Sequence, residues 1–118
     1  MNDEAKMQAI DVLLSHVWMV RTYLKHSEEH EEDEDLQEVQ RTLYDYMLAL
    51  GGPLRQNDAT GYLKQAKKKL RKLKAATELF TEVQPEISNH TSFQMAELSL
   101  RTSVAQVAAI IEGDAPTA

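Results

Sequence analysis

Apolar residues recur every three or four positions through most of the chain, which is the period of one buried face of an α-helix. Four such stripes stand out. The first is Ile10, Leu13, Leu14, Val17, Val20 and Leu24, and the second is Leu36, Val39, Leu43, Tyr46 and Leu50. The third is Leu63, Ala66, Leu70, Leu73, Thr77 and Phe80, and the fourth is Phe93, Ala96, Leu100, Val104, Val107 and Ile111. Glycine and proline fall between them. Glycine adopts the left-handed conformation that closes a helix, and proline cannot continue one, so Gly51-Gly52-Pro53, Gln84-Pro85 and Gly113 read as stops. Asn2 or Asp3, Asn57 or Asp58, and Thr91 with Gln94 three positions on read as N-terminal caps. Together these signals predict helices over about 3–27, 33–50, 58–84 and 91–112, with a flexible tail over 113–118. Gly61 is the exception, a glycine placed one turn inside the third helix.

The spacing in the last three stripes is close to 3.5 residues, which belongs to near-parallel packing with a left-handed supercoil. There is no hairpin dipeptide and no alternating β-branched run. The predicted fold is therefore all-α, a four-helix up-down-up-down antiparallel bundle forming a single domain over residues 1–112. This connectivity brings the 1–2 and 3–4 connections to the same end, so His26, His30 and His90 are expected to gather there.

Composition narrows the chemistry. The 118 residues suffice for one real core. With no cysteine, disulfides, thiolate metal sites and cysteine nucleophiles are excluded. The opening Met-Asn-Asp-Glu-Ala-Lys lacks the layout of a signal peptide, and no apolar stretch approaches the roughly 20 residues that span a bilayer. A cytoplasmic protein without membrane contact is expected. The net charge of −6 argues against nucleic acid as a partner.

The charge is unevenly placed. Seven acids lie between Glu28 and Asp35, and seven bases between Lys64 and Lys74. If helices 2 and 3 turn back near Leu54, Glu34 and Asp35 come level with Lys72 to Lys74 and the two runs neutralise each other. The alternative is weak nucleic-acid binding through a basic patch of Lys64, Lys67, Lys68 and Arg71, although no aromatics interleave it. Arg21 and Glu97 fall on the stripes of helices 1 and 4, which predicts a structural ion pair between them.

Candidate catalytic chemistry is sparse. The residues three before the histidines are Leu13, Tyr23, Ser27 and Ile87, so the Glu-x-x-His pairs of di-iron bundles are missing. P-loop, Gly-x-Gly-x-x-Gly and His-Glu-x-x-His patterns are missing as well. His16, followed by Val17, Trp18, Met19 and Val20, has the wrong neighbours for phosphotransfer and reads as a hydrogen-bonded, half-buried histidine. His26 and His30 are four apart and His90 can approach them, a pattern that suits a divalent metal. Without that metal no cofactor is expected. Trp18, Met19 and Tyr23 with Met7, Leu79 and Val83, and Met95 and Leu98 are apolar beyond their stripes, which suits a partner surface. The sequence thus reads as a non-enzymatic module acting through protein–protein contacts, with itself as homodimer or with another protein. A metal-binding bundle and a nucleic-acid binder are the alternatives.

Overall fold

A computed structural model describes residues 1–113 and is all-helical over them. Six helices follow one another: α1 (Asp3–Lys25), α2 (Glu28–Glu32), α3 (Glu34–Arg55), α4 (Ala59–Lys68), α5 (Leu70–Ile87) and α6 (Thr91–Glu112). α1 packs against α3 and α6, and α5 packs against the same two, so α1 and α5 face each other across the core, as do α3 and α6. α4 closes against α1, α3 and α6.

The stripes predicted from the sequence form one core. Every residue of the α3 stripe, from Leu36 to Leu50, is buried. Ile10, Leu14, Val17, Val20 and Leu24 of α1 are joined by Met7, while Leu13 is only partly buried. On α4 it is Tyr62 that points inward rather than Leu63, and on α6 Ala108 and Ser103 lie within the buried face. Each fully buried leucine of this set contributes about 1.5–3 kcal/mol relative to an exposed one.

The helix boundaries differ from the expected ones for local reasons. Gly51-Gly52-Pro53 does not stop α3, which runs on to Arg55. The Pro53 ring sits in the last turn, and the carbonyl of Pro53 accepts from the Asp58 N–H at 2.9 Å. The left-handed residue that reverses the chain is Asn57, at φ 53°, a conformation asparagine tolerates better than most side chains. Asp58 then caps α4 by accepting from the Gly61 N–H at 2.9 Å. A Cβ at Gly61 would come within 2.2 Å of the Asp58 carboxylate, which explains the glycine one turn into this helix.

Between α4 and α5 the helix breaks at Lys69, and the Ala66 carbonyl in the last turn of α4 accepts the buried Tyr46 hydroxyl at 2.9 Å. Pro85 is likewise carried inside α5. Its last turn is closed by Ser88 N–H on the Gln84 carbonyl and by the Gln84 side chain on the Ser88 carbonyl. α6 is capped by His90, not Thr91, its Nδ1 accepting from the Ser92 N–H at 3.2 Å. Gly113 ends α6 at φ 71°. The rest of the expected flexible tail lies outside the described residues.

The later reversal shifts the register of α3 against α5. With the turn at Asn57 instead of Leu54, the Lys72 side chain lies beside Glu38, Thr42 and Asp45 rather than Glu34 and Asp35. Lys74 pairs with Glu112 on α6. The acidic run is divided instead into caps and a new element. Ser27 caps the five-residue helix α2 by accepting from the His30 N–H, and Asp33 caps α3 by accepting from the Leu36 N–H. Asp and Glu in these first turns also face the positive ends of the helix dipoles.

Candidate functional site

Two recesses lie in series along the seam between α1 and α6. The larger, of about 560 Å³, is bounded by Met19, Thr22, Tyr23 and His26 of α1, Ser27 and Glu29 at the start of α2, and Ser88, His90 and Phe93 where α5 gives way to α6. The smaller, of about 410 Å³, is bounded by Leu13 and His16 of α1 and by Met95, Leu98, Ser99, Thr102, Ser103 and Gln106 of α6. Both are open to solvent and walled mainly by carbon. Tyr23 and Phe93 meet edge to face, 5.4 Å between ring centres, and form the back of the larger one. Polar side chains border both recesses as well, Thr22, His26, Ser27, Glu29, Ser88 and His90 in the larger and His16, Ser99, Thr102, Ser103 and Gln106 in the smaller.

One of those groups has no partner. The Thr22 hydroxyl is buried beside the larger recess and makes no hydrogen bond within the described residues. A buried hydroxyl left so costs about 1–3 kcal/mol, and a ligand that bonded it would recover that. In the smaller recess the His16 Nδ1 lies 3.1 Å from the Ser99 Oγ, so His16 is hydrogen-bonded as expected, but it is exposed rather than half-buried.

The three candidate metal ligands are divided. His26 is the C-cap of α1 and lines the larger recess with His90, whose Nδ1 is already engaged by the Ser92 N–H. His30 belongs to α2. Because α1 ends at Lys25 and a new helix begins at Glu28, the four-residue spacing no longer puts His26 and His30 on one face. Among the described residues no group of three or more histidine, aspartate or glutamate side chains is arranged to hold a metal ion. The expected His26, His30 and His90 site is not formed.

His30 is instead half-buried, with its Nε2 out of water and unpartnered within the described residues. Burial lowers its pKa below the usual 6.5, and the nearby Lys25 and Arg41 lower it further against the opposing pull of Glu31. A base with a depressed folded-state pKa takes up protons more readily when unfolded. Stability from this group is therefore present above about pH 6.5 and lost as pH falls through the lower folded value. Replacing His30 with glutamine should flatten the decline in melting temperature below pH 6.5, measured by circular dichroism. An unchanged decline would remove His30 from the account.

The predicted Arg21–Glu97 ion pair is also absent. Arg21 leans to the α3 side of α1, where its Nε donates to the Gln40 Oε1 at 2.8 Å. Glu97 leans to the α5 side of α6, accepting from the Thr81 hydroxyl at 2.9 Å and from the Arg101 Nε at 2.8 Å. Stripe position gave both residues the right height but not the side of the helix. Burial pushes the Glu97 carboxyl upward, but the hydrogen bonds from Arg101 and Thr81 and the Arg101 charge outweigh it and leave the pKa below the ordinary value. Lys64, Lys67, Lys68 and Arg71 are exposed and border neither of the α1–α6 recesses.

Sequence reasoning missed Thr22, Ser27, Ser88 and Phe93 as neighbours around one cavity. The signal available was the second strip on α1, Met19, Tyr23 and His26, which follows helical spacing beside the core stripe. Among the described residues no helix is long and apolar enough to cross a membrane.

Comparison with protein-family models matches residues 6–110 to the family described as cobalamin adenosyltransferase. Searches of curated proteins and of solved structures returned no match. The family match overturns the reading of a non-enzymatic protein–protein interaction module, because adenosyl transfer is an enzymatic activity. The expectation of no cofactor gives way as well, since the family acts on cobalamin and uses ATP.

Proposed function

We propose that this chain, which belongs to the cobalamin adenosyltransferase family, transfers the adenosyl group of ATP to cobalamin at the α1–α6 seam. The observation that carries this reading is the extent of the match, which takes in all of α2 to α5 and nearly all of α1 and α6. The two adjoining recesses support it, because the reaction brings together two substrates of unequal size. In this reading the larger one receives an edge of the corrin ring against Met19, Tyr23 and Phe93. The smaller one offers His16, Ser99, Thr102 and Gln106 to the adenosine.

The transfer breaks the bond between the ribose C5′ and the triphosphate oxygen and forms a bond from C5′ to cobalt. The cobalt supplies the electron pair, so the substrate is cobalamin in a reduced state, and triphosphate departs with the electrons of the broken bond. Neither recess is lined by lysine or arginine, so the triphosphate is directed outward, towards solvent. The task left to these residues is to align C5′ and cobalt and to keep water from the reduced metal, which is catalysis by orientation and exclusion. The four longer helical stretches, arranged as an antiparallel four-helix bundle in the cytoplasm, form the rigid frame of this reading.

Incubating the protein with ATP and chemically reduced cobalamin without oxygen tests it. The expected result is a light-sensitive alkylcobalamin spectrum and one triphosphate released per product, faster than in the protein-free control. A rate equal to that control would overturn the proposal.

A further inference from the structure

On the opposite flank of α1, facing α3, Arg21 lies against two aromatic rings. Its guanidinium carbon is 5.0 Å from the centre of the Trp18 ring and 4.6 Å from that of Tyr44. The two rings are themselves 6.4 Å apart at a tilt of 38°. The Nε is held by Gln40, which is itself buried, so the guanidinium is fixed in plane and direction. No carboxylate of the described residues is within salt-bridge distance of it. A partly buried cation fixed in this way and lacking a counter-charge has its donors already ordered for an oxyanion.

The surroundings define the kind of oxyanion. Trp18 is 40% exposed, Tyr44 38% and Leu48, one turn further along α3, 65%. Lys25 lies one turn beyond Arg21 on α1, and Arg41 one turn before Tyr44 on α3. Both are exposed, and both act electrostatically on His30, as does the acid Glu31, which places all three at the same end of the α1–α3 face. Neither base has a carboxylate partner among the described residues. In a chain of net charge −6, this face therefore gathers three cations around exposed aromatic surface. None of the recesses described above includes Trp18, Arg21 or Tyr44. Small molecules favour concave pockets, whereas tryptophan, tyrosine and arginine together are the residues that dominate protein interfaces.

We propose that the α1–α3 face around Trp18, Arg21 and Tyr44 is a docking site for an acidic protein segment. One carboxylate of the segment pairs with the Arg21 guanidinium, apolar neighbours of that carboxylate cover the two rings and Leu48, and further acids meet Lys25 and Arg41. This site stands apart from the α1–α6 seam, so it holds whether or not the seam performs adenosyl transfer.

Trp18 is the only tryptophan in the chain, so its fluorescence reports on this face alone. Short random peptides displayed on phage serve as the probe, selected against the whole protein and then synthesised for titration. The expected winners place aspartate or glutamate between aliphatic or aromatic residues, shift the Trp18 emission, and bind more weakly as salt rises. Arg21→Gln keeps a hydrogen-bonding group and removes the charge, and should weaken binding on the order of tenfold or more. Lys25→Glu changes only an exposed residue and should weaken it in the same direction, so the test survives if Arg21→Gln fails to fold. Winners without acidic residues, or equal affinity for both variants and wild type, would overturn the proposal. So would a Trp18 response to ATP alone that Arg21→Gln abolishes, which assigns the face to a nucleotide. Self-association lost in Arg21→Gln would assign it to a second copy and overturn it equally.

Discussion

Replacing Met19 with glutamate is expected to lower adenosyl transfer to cobalamin by on the order of tenfold or more while leaving the melting temperature almost unchanged. Met19 is 66% exposed and lies outside the core, so the folded state loses little by the change. Its side chain nevertheless forms part of the wall of the larger recess, against which the corrin edge is proposed to rest. A carboxylate there must lose water when that edge is seated, with Glu29 already on the rim and no cation lining the cavity to compensate it. A penalty of about 1.4 kcal/mol in this step is already tenfold. The loss should fall on cobalamin affinity, with the KM for ATP unchanged, because the adenosine is proposed to lie in the neighbouring recess. Comparing steady-state kinetics of Met19→Glu and Met19→Leu checks this. Equal kinetics for the two variants would move the corrin away from Met19.

The second large effect concerns two tyrosines that lose the same atom with opposite results. Tyr46 and Tyr62 are both buried in the core, and burial pushes both phenols well above the ordinary tyrosine pKa. The Tyr46 hydroxyl donates to the Ala66 carbonyl at the break between α4 and α5. Tyr46→Phe leaves that carbonyl without its donor in an apolar setting and should cost about 1–3 kcal/mol. The Tyr62 hydroxyl makes no hydrogen bond within the described residues. Tyr62→Phe removes a desolvated polar group, so it should be neutral or stabilising by up to about 1–2 kcal/mol. Urea unfolding of the two variants measures both. Destabilisation by Tyr62→Phe comparable to that of Tyr46→Phe would mean that the Tyr62 hydroxyl has a partner.

The core was legible in the sequence because burial follows the helical period directly. Leu36, Val39, Leu43, Tyr46 and Leu50 are spaced as the inner face of a helix and all lie there. Helix ends were less legible. Gly51-Gly52-Pro53 has the composition of a stop, yet α3 passes through it: Pro53 gives up one N–H bond of the ladder, and the core contact of Leu54 holds the last turn in place. The reversal is made by Asn57, three residues after the expected turn at Leu54. That difference moved the partners of Lys72 from Glu34 and Asp35 to Glu38, Thr42 and Asp45.

The site was harder still. Arg21 and Glu97 lie on stripes that meet in the core, but a stripe does not specify which flank a long side chain follows. One turned to Gln40 and the aromatic pair, the other to Thr81 and Arg101. The extra apolar residues on α1 were read as one partner surface, but Met7 belongs to the core and the others divide into two. Met19 and Tyr23 line the larger recess, while Trp18 covers Arg21 on the other flank. The orphaned Thr22 hydroxyl has no signature in sequence, because any exposed helical threonine looks the same. The enzymatic nature of the chain was not legible either. In the proposed reading, adenosyl transfer by orientation in the two recesses calls for no protein nucleophile, metal ligand set or phosphate loop of the kinds that were sought.

The most direct test of the seam as the place of action is an amide and methyl nuclear magnetic resonance titration of the protein with cobalamin. The account predicts shifts concentrated at Met19, Thr22, Tyr23, His90 and Phe93, with addition of ATP then shifting Ser99, Thr102 and Gln106. Saturable shifts centred on α3 and α5 instead, or no shifts at all, would contradict it.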